Sequence, residues 1–198
     1  MGVSGATSGG VVPLLGLLLS ISCGGSTTPS KPASAAAPPD VPAWVHGAVC
    51  VPHGVEVCFN ARDDNCNGSI DEGCGLTSGL LQFAAAWVEP AVDVDLEVTD
   101  PDGQLVELRR VSESGLFKER DCPGRDGECR GVNLENVVLQ SNESMRRGTY
   151  VVRVRLENLA DVEDPVRVHL SARLGPKQFA VVFDLQDEKE ERQFELTL

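Results

Sequence analysis

The sequence predicts a mainly β fold: an antiparallel β-sandwich of about eight strands, preceded by a small disulfide-rich, helix-poor knot and a disordered tether. Three observations carry this expectation. Residues 79–198 alternate apolar and polar side chains in short runs separated by turn residues, the pattern of strands with one buried face. Residues 44–76 space Cys50, Cys58, Cys66 and Cys74 at a constant interval, yet hold too few large apolar side chains to build a core of their own. Residues 23–43 are almost wholly Gly, Ser, Thr, Pro and Ala, a composition that cannot bury enough apolar surface to offset its ordering entropy.

The chain opens with an apolar run, VVPLLGLLLSIS at residues 11–22. It is too short to cross a hydrocarbon layer of roughly 30 Å but fits the apolar region of a signal peptide, which we place at residues 1–22. The run ends in LSISC at residues 19–23, which resembles the lipobox of bacterial lipoproteins, with the small Ser22 directly before Cys23. The resemblance implies export, lipidation of Cys23, and attachment through that lipid to a membrane of the cell envelope, at the outer membrane or cell surface. The alternative is an ordinary secretory signal that leaves Cys23 unmodified.

Cysteine arithmetic bears on the same point. The chain has seven cysteines, an odd number for an oxidising compartment. If lipid takes Cys23, six remain: Cys50, Cys58, Cys66, Cys74, Cys122 and Cys129. The last two enclose the short loop CPGRDGEC and are expected to pair with each other. The first four allow three connectivities, and sequence does not choose among them. The formal net charge of −13 lies entirely beyond the signal segment. Such a balance argues against nucleic acid and against adsorption to anionic lipid, and suits a cation as partner.

Within the knot, the run DDNCNGSIDE begins at Asp63. Asp63, Asn65, Asn67 and Asp71 fall at the first, third, fifth and ninth places of an EF-hand-type calcium loop, Gly68 at the sixth, and Ser69 at the seventh, where a backbone carbonyl serves as ligand. Alternate residues turn oxygens toward a hard cation while glycine permits the sharp turn. Cys74 stands where that loop has its bidentate Glu, and Glu72 is the candidate substitute. With so few carboxylates the expected calcium Kd is weak, on the order of 10⁻⁴ to 10⁻³ M. The same residue types are also ordinary turn formers, so a metal-free knot is the competing reading.

The segment EVCFNARDDNCNGSIDEGC resembles a short Cys- and Asp-rich metal-binding motif of bacterial surface proteins, C-N-x-x-D-D-D-C-D-G-x-x-D-E. The resemblance places Asp63, Asp64, Asn65, Asn67, Asp71 and Glu72 at motif positions, with Asn at 65 and 67 where the motif has Asp, and Phe59 inserted after Cys58. Copper is sometimes associated with that motif, but oxygen ligands without free thiols suit calcium better. His46 and His53 flank Cys50 at a spacing unlike that of zinc fingers.

In the sandwich, strands are expected over residues 81–88, 92–98, 105–108, 134–139, 150–156, 166–172, 179–185 and 194–198, with turns at Asp100-Pro101-Asp102-Gly103 and Leu174-Gly175-Pro176. The runs DVDLEVTDPDG, LENV and GTYVVRV resemble the YfaP-type domain of unknown function found in exported bacterial proteins, over most of residues 79–198. That resemblance implies the fold and no particular activity.

Asp93 and Asp95 share one strand face and could serve as a carboxylate pair or second cation site, although alternate residues of any half-buried strand must face water. His169 is expected to be a solvated surface residue. No G-x-S-x-G, H-E-x-x-H, phosphate loop or dinucleotide fingerprint occurs. The reading is therefore an exported, lipid-anchored, non-catalytic binding or structural protein with a weak calcium site, contacting an unknown protein or glycan. The alternatives are a hydrolase accessory of the periplasm or surface using Asp93 and Asp95, and a copper-binding protein.

Overall fold

Short alternating strands with one apolar face must stack against another sheet, and they do so here. The computed structural model describes residues 45–46, 50, 52–124, 129, 132–139 and 145–198. The signal segment, Cys23 and the tether lie outside the described residues. Nine strands run in the order β1 (Val45–His46), β2 (Leu81–Ala86), β3 (Asp93–Thr99), β4 (Leu116–Lys118), β5 (Leu134–Leu139), β6 (Thr149–Asn158), β7 (Val166–Leu174), β8 (Lys177–Leu185) and β9 (Glu191–Thr197), with no helix among the described residues. All pairings are antiparallel: a six-stranded sheet in the order β1-β8-β7-β2-β5-β4 faces a three-stranded sheet in the order β3-β6-β9.

The core between the sheets consists of the inward residues of each alternation. Val94, Leu96 and Val98 of β3 meet Val152, Val154 and Leu156 of β6, and the larger sheet contributes Leu81, Phe83, Val168, Leu170 and Phe183. Phe83 and Tyr150 approach to 5.8 Å between ring centroids, a tilted pair across the sandwich. The β7–β8 hairpin turns on Gly175-Pro176 alone; Gly175 has φ of 62°, which its missing Cβ permits, and its N–H donates to the Leu80 carbonyl.

Two features depart from the expected strand pattern. Residues 105–108 form isolated bridges rather than a strand, because only Val106 turns inward while Leu105 stays half exposed. The chain instead pairs at β4, where Lys118 points into the interior. Diagonally across on β5, Glu135 faces inward on the same side as Val137 and Leu139, wholly buried, with Oε2 2.8 Å from Lys118 Nζ and accepting the Leu96 N–H at 2.6 Å. Leu96 sits on β3, an edge strand, so this carboxylate supplies an acceptor that a neighbouring strand would otherwise provide.

The second departure is β2, whose residues are buried on both faces. Leu81, Phe83 and Ala85 face the sandwich core, whereas Ala84 and Ala86, with Leu134 of β5, form a second apolar cluster with Ala61 and Ile70 of the knot. The knot thus covers the outer face of the larger sheet at β2 and β5.

Candidate metal centre

Two disulfides frame the knot, Cys50–Cys66 and Cys58–Cys74, with Cα separations of 5.6 and 5.3 Å; the bridges interleave, first cysteine to third and second to fourth. The third bridge, Cys122–Cys129, closes the short loop as expected. With so little apolar content the knot depends on polar clamps to the sheet. Ser171 donates to the Ala61 carbonyl at 2.5 Å, Gln82 to the Ile70 carbonyl at 3.2 Å, Arg173 to the Ser69 hydroxyl at 2.9 Å and Gln178 to Asp63 at 2.8 Å.

Between the bridges the chain turns through left-handed positions, including Gly68 at φ 91°, the sixth place of the expected loop. Carboxylate oxygens of Glu56, Asp63 and Glu72 then lie within 4.8 Å of one another. Asp63 accepts the N–H groups of Asn67 and Gly68 at 3.0 and 2.8 Å, which folds the loop around it. Glu72 Oε1 accepts from the side-chain amides of Asn65, at 2.5 Å, and Asn67. The second oxygen, Oε2, is buried without a hydrogen-bond partner. Glu56 accepts the N–H groups of Asp64 and Asn65 on one oxygen and that of Asp71 on the other. Burial pushes the Glu56 carboxyl above its ordinary pKa, and repulsion from Glu72 adds to this against the backbone hydrogen bonds.

Of the residues singled out in the sequence, Asp63, Asn65, Asn67 and Glu72 come together. Ser69 is adjacent, its hydroxyl engaged by Arg173. Asp71 stands apart: fully buried, its two oxygens accept the N–H groups of Asn60 and Ala61 at 3.1 and 2.8 Å, pinning the turn that carries Ala61 into the apolar cluster. Burial raises the pKa of Asp71 despite those hydrogen bonds. Asp64 likewise accepts from Asn60 and Val57. Glu56 is the member that sequence reading missed, since it precedes the loop and no spacing rule links it to Asp63.

These roles separate by mutation. Asp71→Asn is expected to cost about 2 kcal/mol of stability, because one buried N–H loses its charged acceptor. Urea unfolding should give the same loss with calcium and with chelator; a loss that appears only in calcium would place Asp71 among the ion's ligands.

A second acidic group lies where the edges of the two sheets meet: oxygens of Asp93, Asp95 and Asp121 are within 4.8 Å of one another. Burial raises the pKa of Asp93 and of Asp95, while nearby Lys118 works in the opposite direction on both. Arg155 approaches Asp95 at 3.8 Å. Cationic side chains therefore already balance this group. His53 is exposed, and the side chain of His46 lies outside the described residues. His169, expected in solvent, instead faces the knot and accepts from Arg62 through Nδ1 at 2.8 Å.

Comparison of the chain with protein-family models, with curated proteins and with solved structures found no match.

Proposed function

We propose that this chain is an exported, lipid-anchored, non-catalytic binding or structural protein, in which the knot holds a weakly bound calcium ion and the sandwich presents a surface to a protein or glycan. The observation that carries the cation reading is the convergence of Glu56, Asp63 and Glu72, with a buried Glu72 oxygen that has no partner. Three carboxylates held this close repel unless a cation or protons intervene. The donor set is oxygen from three carboxylates, with the side-chain amides of Asn65 and Asn67 against Glu72, which favours a hard cation over copper or zinc. Asn65 and Asn67 would present their oxygens on a half-turn of each amide. Envelope attachment is supported by the three bridges, which consume all six cysteines beyond Cys23 in an even set closed on itself.

Calcium that binds only the folded state stabilises it by mass action. For a Kd of about 10⁻⁴ to 10⁻³ M, 10 mM calcium should add roughly 1.4–2.7 kcal/mol relative to chelator. The measurement is paired thermal and urea unfolding of the chain beginning at Gly24, with Asp63→Asn as the variant expected to lose the response. Coincident curves with calcium and with chelator would sink the cation reading.

A further inference from the structure

Beside the knot, the outer face of β7 and β8 forms a cavity of about 320 Å³, at the lower end of the range that ligand clefts span. Its exposed apolar surface comes from Ala180 and Val182 of β8, with Ala61 and Ile70 of the knot buried behind it; Val182 is 47 % exposed there. Most polar groups at the rim are committed elsewhere. Ser171 donates to Ala61, Gln178 donates to Asp63, and the oxygens of Asp63 and Asp64 accept from the knot's own N–H and amide groups.

Three side chains remain, Arg62, His169 and the exposed His53, and the first two meet each other and offer donors to the cleft. Arg110, Arg146, Arg153, Arg155, Arg167 and Arg192 each pair with a carboxylate. Arg62 has no such partner among the described residues; its Nε and one terminal nitrogen rest on His169 Nδ1 at 3.1 and 2.8 Å. That ring must be neutral to accept a guanidinium N–H, and burial together with the charges of Arg62 and Arg167 lowers its pKa accordingly. Its Nε2 then carries the proton and is a donor. A guanidinium and an imidazole N–H at the edge of an apolar cleft match a head group that only accepts and carries negative charge.

We propose that this cavity binds a small carboxylate with an apolar body, the carboxylate on Arg62 and the body against Ala180 and Val182. Asp63 borders both this cavity and the cation site, but the contacts proposed for the ligand are to Arg62, Ala180 and Val182, so the test is run in chelator, where failure of the calcium reading leaves it untouched.

The probe is 2-naphthoate, followed by its own fluorescence on titration of the chain beginning at Gly24, with 2-naphthamide as the uncharged counterpart. The expected result is saturable naphthoate binding at least tenfold tighter than that of the amide. Arg62→Gln should erase this preference. Val182→Glu, at an exposed strand position that leaves the knot untouched, should abolish naphthoate binding by placing an internal carboxylate in the cleft. Arg153→Gln, on the other sheet, should bind as the unaltered chain does. Absence of saturation below millimolar probe, equal affinity for acid and amide, or unaltered binding by both Arg62→Gln and Val182→Glu would overturn the proposal.

Discussion

Replacing Lys118 with methionine is expected to destabilise the fold by about 3–5 kcal/mol at neutral pH, because it leaves Glu135 as an uncompensated charge in the core. Glu135 is fully buried, and its only other hydrogen-bond partner among the described residues is the Leu96 N–H. Burial drives its pKa well above the ordinary carboxylate range, and the adjacent Lys118 ammonium opposes that drift. Burial works to lower the Lys118 pKa in turn, but Glu135, Asp121 and Asp95 together hold the amine charged.

Without the ammonium, folded Glu135 keeps its proton to a higher pH than the unfolded chain does. Between the unfolded and folded pKa values the folded state binds more protons, so stability falls as pH rises. The penalty of Lys118→Met should therefore shrink between pH 7 and pH 5 in urea unfolding. A penalty independent of pH would show that Glu135 is not the group left stranded. Pairing the substitution with Glu135→Leu should recover most of the loss, since replacing both members of a buried ion pair is far milder than removing one.

The second large effect lies in the knot. Serine at both Cys58 and Cys74 is expected to cost about 3 kcal/mol, the chain-entropy value for a closed loop of roughly this length. The loss should appear in urea unfolding of the whole protein, because opening the knot exposes Ala84, Ala86 and Leu134 on the sheet beneath it. A change below about 1 kcal/mol would mean that packing of Ile70 and the polar clamps hold the knot without the bridge.

Much of the sandwich was legible because alternation is a direct projection of a one-sided core. The alternating stretches of β3, β6, β7 and β8 read as strands since every second residue is apolar. β4 was illegible for a physical reason: it is three residues long and its inward Lys118 is charged, so the alternation rule points the wrong way. Glu135 hides in β5 likewise, its inward place apparent only once Lys118 and the Leu96 N–H are found across from it.

At the candidate site, the spacing of Asp63, Asn65 and Asn67 reflects a local turn and could be read from the chain. Glu56 and Gln178 arrive through tertiary packing, and no local rule connects them to the loop. Asp71 shows the converse. It matches the ninth place of a calcium loop, yet its carboxylate serves the turn at residues 60–61, because a buried pair of N–H groups competes for the same oxygens.

The double burial of β2 bears on the order of assembly. Its core-facing residues can be covered as soon as the two sheets meet, but Ala84, Ala86 and the outer side of Leu134 wait for a segment whose shape depends on oxidised cysteines. Until those bridges form, the middle of the larger sheet presents an apolar strip to water. That strip is a surface on which an unoxidised chain can associate wrongly, so closing the bridges also removes an aggregation hazard from the folded sheet.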